Sequence, residues 1–431
     1  MIGSRQKIMI ATLGTRGDVQ PYVALASELV RHDADVVIAT GEGFRGMIEK
    51  AGASARPLPI DYEALLRDSD LRKALFSVRG IVASARKSID LQRNVAETLW
   101  QIGLDERPDL ILFNLKATVM TLVARRLNVP CLPTELQPVS EPTRAFAPAL
   151  FDLPDLGGFL NRKSYFLTRK LMEAGLGAIH KPVKAKARAE KDMPGSLLDG
   201  HMPYGARAPC LHAYSRALVP RPEDWPEDEE ICGYWFTEPV RDYQPDTALG
   251  AFLETGPPPV YLGFGSMPSR DPKALTRLLL DALSLTGQRA VVSSGWGGLS
   301  NESAAPETEA RVFHLAKAPH SWLFPRCSAV VHHGGAGTTH EALRWGKPSL
   351  VCPVFADQHF WGARVHAIGA GPAPLKQKTL TVERLATALG ALEDGSFQQA
   401  AERTATIMAG EPAAAGTAER VMALLESRLS A

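Results

Sequence analysis

Residues 325–362 read PRCSAVVHHGGAGTTHEALRWGKPSLVCPVFADQHFWG. A short apolar run, Ala329-Val330-Val331, ends in the doublet His332-His333. A glycine-rich turn, Gly334 to Gly337, leads into Thr338-Thr339 and a helix-forming stretch that Gly346 and Pro348 stop. A second apolar run, Leu350-Val351-Cys352, follows. This order predicts a strand, glycine loop, helix, strand unit of an α/β fold. Loop amides at a helix N-terminus form an anion site suited to a pyrophosphate. Asp357 and Gln358 come after the next strand, where an α/β sheet binds its ligand.

The same alternation recurs along the chain. Lys7 to Leu13 lacks helical period and reads as a buried parallel strand, Gly14 to Asp18 as a turn, and Pro21 as the first turn of a helix that runs to about Arg31. Strands are expected at Asp35–Thr40 and Asp109–Phe113, with a helix from about Thr118 to Leu127. The pattern loosens at about 61–107 and 137–201. Beyond a stretch rich in proline and acid, a second half has strands at 260–264, 289–293 and 312–315, and helices at 272–285, 382–392 and 417–430. A chain of 431 residues is too long for one ordinary core. The expected division is residues 1–220, a linker at 221–258, a second domain at 259–412 and a closing helix at 413–431. Both halves read as doubly wound parallel sheets.

Composition excludes several classes. Lys+Arg 48 against Asp+Glu 47 gives a net charge of +1, so no global field draws nucleic acid or an anionic membrane. The five cysteines form no CxxC pair and fit a reducing compartment with buried thiols. The polar N-terminus lacks a signal-peptide pattern, and no apolar stretch reaches membrane-spanning length. A cytoplasmic location is expected. Residues 161–191 concentrate Lys and Arg with interleaved Tyr165 and Phe166. They read either as a solvated charged face or as a peripheral membrane contact.

The segment from Pro319 to His366 resembles the donor-binding signature of family-1 nucleotide-sugar glycosyltransferases, above all their sterol glucosyltransferase-like branch with its bacterial members. Gly14-Thr15-Arg16-Gly17-Asp18-Val19-Gln20-Pro21 is similar to that branch too, while the likeness is thin between about 60 and 215. The resemblance implies the GT-B architecture: two Rossmann-like domains facing a cleft, with the last helix crossing back onto the N-terminal domain. It implies an inverting transfer of a hexose, glucose above others, from UDP-glucose or another UDP-sugar to a lipophilic hydroxyl such as that of a sterol, hopanoid or polyketide.

On that resemblance, His333 contacts phosphate, joined by the donors of Gly335, Gly337, Thr338 and Thr339 at the helix N-terminus, where charge grows on the leaving diphosphate. Ser266 matches a phosphate-contacting serine. Ala318 and His320 fall where the family contacts the base, although Lys317 and His320 replace its usual tryptophan and glutamine. Trp296 reads as a donor neighbour or as core. His332, directly before His333, should point the opposite way and reads as structural. Glu341 aligns with the carboxylate that takes the ribose hydroxyls, which favours UDP over dTDP; its bland reading is a helix N-terminal acid. Asp357 and Gln358 match the pair that binds the sugar hydroxyls. No metal-binding Asp-x-Asp stands in strand context, since Asp68-Ser69-Asp70 lies in the loose region, and no metal or resident cofactor is expected.

Many relatives place a histidine base on the first N-terminal loop; here Thr15, Arg16, Gly17 and Asp18 occupy it. Asp18 is the expected base, with helix N-capping as its competing role. Arg16 pairs with Asp18, meets phosphate or is solvated. Alternative readings are a dTDP-sugar natural-product glycosyltransferase, a sugar-nucleotide epimerase on the same scaffold, or a silent auxiliary partner. The acceptor and the oligomeric state are not legible.

Overall fold

Short buried apolar runs become parallel strands, because a strand covered on both faces needs no alternation of polarity. The computed structural model describes residues 5–67, 78–188, 196–205, 207–240, 242–265, 271–293, 299 and 305–429. Strands β1 (Lys7–Ala11), β2 (Asp35–Gly41), β3 (Ser54–Leu58), β4 (Leu110–Asn114), β5 (Cys131–Glu135), β6 (Leu211–His212) and β7 (Glu230–Ile231) form one sheet in the order β3-β2-β1-β4-β5-β6-β7. Strands β8 (Val260–Gly263), β9 (Ala290–Ser293), β10 (Val312–Leu315), β11 (Ala329–His332) and β12 (Ser349–Val351) form a second, in the order β10-β9-β8-β11-β12. Neighbours in both sheets run parallel. The chain is therefore α/β, with two doubly wound sheets. The stretch 221–258 holds the edge strand β7 and the helix Thr247–Glu254.

In an open parallel sheet the ligand crevice lies where strand order reverses. That point falls between β1 and β4 in the first sheet and between β8 and β11 in the second. The C-terminal ends of these four strands and the segments that follow them carry Gly14 to Asp18, Asn114 to Lys116, Phe264-Gly265, and His333 to Gly335.

Three local readings are corrected. The first helix spans Arg16–Arg31, so Arg16, Gly17 and Asp18 lie in its first turn rather than in a preceding loop, and Pro21 is inside it. Thr15 caps it, and the Asp18 side chain reaches back to the cap amide, a capping box that starts the helix five residues before the proline. The loose segments hold two long helices, Val78–Glu106 and Gly158–Arg188. They pack on each other: Val95, Ala96, Leu99 and Trp100 share a core with Val183 and Ala187, and Arg93 Nε donates to the Ala178 carbonyl at 3.1 Å. The outer residues of the second helix mix apolar and basic types, which hides its helical period.

The helix Ala413–Leu429 packs Ala418, Val421 and Leu425 against Tyr22, Leu25 and Leu29 of the first helix. Trp235 Nε1 donates to Thr417 Oγ1 at 3.0 Å, and Ser215 Oγ to Glu411 Oε1 at 2.8 Å. The five cysteines are buried and free. Among the described residues no helix is long and apolar enough to cross a membrane.

Candidate active site

Both switch-point loops are built around glycines. Gly14 adopts φ 144°, and a Cβ there would lie 2.1 Å from Asp18 Oδ2. Only glycine therefore leaves the Asp18 carboxylate room to turn back. Asp18 Oδ2 accepts the Thr15 amide at 2.9 Å, and Oδ1 accepts Lys116 Nζ at 2.8 Å. Lys116 is set by its own loop: Asn114 Oδ1 accepts the Lys116 amide at 3.2 Å, and Asn114 Nδ2 donates to Thr12 Oγ1 at 3.1 Å and to the Leu13 carbonyl at 3.0 Å. Partial burial depresses the Lys116 ammonium, but the Asp18 carboxylate outweighs it and holds the group above the usual lysine range.

In the second sheet, the His333 ring lies between two glycines. A Cβ on Gly335 would fall 2.5 Å from His333 Nε2, and one on Gly265 would fall 3.2 Å from Cε1. Burial lowers His333 to about 4, so its imidazole is neutral at pH 7, and its Nδ1 has no hydrogen-bond partner among the described residues. His332 is wholly buried; its Nδ1 accepts the Gly334 amide at 3.0 Å, so its ring proton is on Nε2. The two rings stand 89° apart.

Gly335 caps the helix Ala336–Arg344, which has no acid in its first turn. The Thr339 amide and hydroxyl both bond to the Gly335 carbonyl, at 3.0 Å each. Thr339 is thereby spent on the helix start. The amides of Ala336, Gly337 and Thr338 precede the first intrahelical bond and have no acceptor within the helix. Glu341, one turn on, accepts Trp345 Nε1 at 2.8 Å, and burial raises its carboxyl.

Asp357 caps the helix Gln358–Ala367 and accepts Trp361 Nε1 at 3.0 Å. Burial, reinforced by the Asp18 charge across the cleft, raises its carboxyl to about 7. Gln358 is buried, and its Oε1 accepts the amides of Val354 at 2.8 Å and Phe355 at 3.2 Å, bracing the loop that presents Asp357. His320 stacks on Phe324 with centroids 4.4 Å apart, and its Nε2 is 3.3 Å from Tyr261 Oη. Burial first, then Arg16 and His333, lower it to about 4. Ala318 is partly buried on the loop leading to it.

Charge thus links residues far apart in sequence. Asp18 acts on Asp357, Arg16 acts on His320, and Lys116 feels both carboxylates. The two switch points face one another. Thr15 and Gly17 belong to the same turn as Arg16 and Asp18, and a Cβ on Gly17 would meet nothing within 4 Å. Ser266 and Trp296 lie outside the described residues.

Two residues that lie beside this candidate site were not singled out from sequence. Lys116 belongs to no motif, and a charge two residues past a central strand was the available signal. Tyr234 stacks on His340 with centroids 4.4 Å apart, and its Oη lies 3.0 Å from where a Gly337 Cβ would be. Burial pushes its phenol well above the ordinary range, and the charges of Glu341, Asp18 and Asp357 all add to this. An aromatic run in a stretch read as linker gave no signal for such a role. A separate buried cluster, Glu135, Cys210 and His212, has its donor atoms within 4.8 Å of one another.

Two parallel-sheet domains with facing switch points define the GT-B class of architecture. Residues 8–136 match the glycosyltransferase family 28 N-terminal domain, and residues 289–424 match the erythromycin biosynthesis protein CIII-like C-terminal domain. Each half of the chain is thus similar to a glycosyltransferase-type domain. It is 33% identical over 422 residues to a sterol 3-beta-glucosyltransferase of Arabidopsis thaliana, covering 95% of this chain and 64% of the relative. The chain therefore spans just under two thirds of that relative's length. The structure of the kitacinnamycin glycotransferase superposes with a TM-score of 0.70 at 16% identity, covering 98% of this chain and 99% of that one. The glycosyltransferase VinC, in complex with dTDP, gives 0.65 at 19% identity over 98% and 100% of the two chains.

Proposed function

We propose that the chain is an inverting hexosyltransferase that moves glucose from UDP-glucose to the hydroxyl of a lipophilic, sterol-like acceptor. The observation that carries this reading is the opposition of a fixed carboxylate, Asp18, to a helix N-terminus with three free amides. A nucleotide diphosphate at Ala336–Thr338 directs its sugar toward Asp357 and its anomeric carbon toward the N-terminal loop. The acceptor oxygen attacks that carbon from the face opposite the diphosphate. Its proton passes to Asp18 as the new C–O bond forms. The old C–O bond breaks with its electron pair on the diphosphate, and a single displacement of an α-linked donor yields a β-glycoside.

Each group has a stated task in this reading. The amides of Ala336, Gly337 and Thr338 and the neutral His333 ring stabilise charge growing on the leaving diphosphate. Lys116 holds and aims the Asp18 carboxylate; a carboxylate is a weak base toward an alcohol, so proton transfer comes late in the displacement. Glu341 takes the ribose hydroxyls, held in place by Trp345. Asp357 binds sugar hydroxyls directly. Gln358 acts by shaping the Val354–Asp357 loop, and Thr339 by fixing the helix start. Tyr234 places its hydroxyl beside the first turn of the phosphate-binding helix. Sterol glucosyltransferase relatives at 33% identity support the acceptor class and the glucose donor.

A second donor reading, dTDP-hexose, draws support from a structural neighbour solved with dTDP. The test is a turnover screen of UDP- and dTDP-sugars against a panel of lipophilic alcohols, with mass detection of an added hexose. UDP-glucose should give the highest turnover, on sterol-like alcohols. Transfer only from dTDP-sugars would replace the donor reading, and no transfer from any donor would overturn the enzyme reading.

A further inference from the structure

Eleven large hydrophobic side chains are exposed among the described residues, and seven of them lie between Phe151 and Leu171. Such side chains scattered singly are ordinary; gathered on one face they mark an interaction surface. Five belong to the helix Gly158–Arg188: Phe159, Leu160, Phe166, Leu167 and Leu171. The same helix buries Asn161, Tyr165, Thr168, Val183 and Ala187 on its inner side. At 3.6 residues per turn, Phe159, Lys163, Phe166, Leu167 and Lys170 share the outward face.

Charge on this face has one sign. No Asp or Glu occurs from Phe159 to Leu171, against four bases, Arg162, Lys163, Arg169 and Lys170. Arg169 is tied to Asp199 at 2.5 Å and to Glu173 at 3.2 Å, and Arg162 lies 3.7 Å from Asp224. Lys163 and Lys170 have no ion-pair partner among the described residues. Lys163 Nζ is 5.5 Å from the Phe159 ring centroid and 5.9 Å from that of Phe166, so ammonium and aromatic groups are interleaved. Farther along, Lys186 is drawn to Glu97 of the neighbouring long helix at 3.6 Å. The outward surface is thus the first half of the helix, a narrower unit than the basic stretch 161–191.

We propose that this face, with Phe151 and Leu153 beside it, docks on the surface of a lipid bilayer carrying anionic headgroups. A bilayer offers acyl chains to the aromatic and leucine side chains and negative charge to the lysines, in one layered surface. A second copy of the chain would bring Lys163 and Lys170 against the same cations across a two-fold axis, which like-charge repulsion opposes. The location gives the contact a purpose, and this part rests on the acceptor reading above. Asp152, between Phe151 and Leu153, accepts Lys376 Nζ at 2.5 Å and lies 3.4 Å from His359 Nδ1. His359 belongs to the helix that Asp357 caps, so the apolar face begins at the mouth of the cleft. A lipophilic alcohol leaving the bilayer there has the shortest path to the displacement site.

The test is co-sedimentation of the full chain, without donor or acceptor, with vesicles of phosphatidylcholine alone or mixed with phosphatidylserine. The anionic vesicles should retain the chain and the neutral ones should retain much less. Lys163→Glu with Lys170→Glu, and separately Phe166→Ser with Leu167→Ser, should each weaken retention about tenfold or more while leaving the unfolding midpoint unchanged. Absent retention on anionic vesicles, or equal retention of wild type and both variants, overturns the proposal. So does a self-association that the Phe166→Ser, Leu167→Ser pair abolishes while vesicle retention is unchanged. Because binding is read without turnover, failure here leaves the transferase reading standing, and absence of transfer leaves this surface standing.

Discussion

Asp18 is held on both carboxylate oxygens before any substrate arrives, by the Thr15 amide and by Lys116. Helix capping is the observed role of Asp18 and general base the proposed one, and the variants separate them. Asp18→Asn keeps a capping oxygen but loses the proton acceptor. Turnover should fall by about 10² to 10⁴ while UDP affinity stays within about twofold, by steady-state kinetics and calorimetry. Lys116→Met should lower turnover too, and its effect should be far smaller in the Asp18→Asn background, since the two act as a unit. Gly335→Ala drives a methyl into the His333 ring, and should cost about tenfold or more in UDP affinity. Glu341→Ala should narrow the gap between UDP and dTDP binding; an unchanged ratio removes it from the ribose. Asp357 supplies a pH test. Its carboxyl is raised from 3.8 to about 7, so the folded chain holds an extra proton between those values. Stability should decline as pH rises across that window, and Asp357→Asn should flatten the decline in a pH series of denaturant melts.

At the scale of elements, the far edge of the first sheet is the least regular part, with two strands of two residues each. Side chains join what the short ladders do not. His212 Nε2 is 2.8 Å from Glu229 Oε2, His212 Nδ1 is 3.6 Å from Glu135 Oε2, and Trp225 stacks on the imidazole at 4.4 Å. Burial works against a charged His212, but the two carboxylates prevail and raise it from 6.5 to about 9. This contribution to stability is complete below pH 6.5 and is lost as pH climbs through about 9. His212→Gln should remove that alkaline loss, read as the midpoint of thermal unfolding against pH. The closing helix is a second element whose worth can be measured. Leu425→Ala opens a cavity against the first helix and should cost about 2–5 kcal/mol in denaturant melts.

For the whole molecule, most of the fold was legible because buried parallel strands announce themselves as short apolar runs. The signature loop was legible because its glycines, histidine and helix start are contiguous. Long-range pairings were not. Nothing local in the sequence says that Lys116 meets Asp18, 98 residues away, or that Tyr234 lies over the first turn of a helix a hundred residues on. The helix Gly158–Arg188 was obscured by a different cause: its outer face carries Phe159, Phe166 and Leu167 among lysines, so no clean apolar stripe marks a buried side. Pro21 misled about the first helix because a capping box five residues earlier sets the start. The pairings are tertiary, the helix face is an exposed surface, and the capping box is a local signal that outweighs the proline.

The central claim is that the amides of Ala336, Gly337 and Thr338 hold a diphosphate across the cleft from Asp18. A crystal structure of the chain with UDP tests it most directly. The β-phosphate oxygens should lie about 2.7–3.2 Å from those amides, with the His333 ring beside them and the open side of the phosphate facing Asp18. A diphosphate bound away from this helix terminus, or one whose free side turns away from Asp18, would contradict the account.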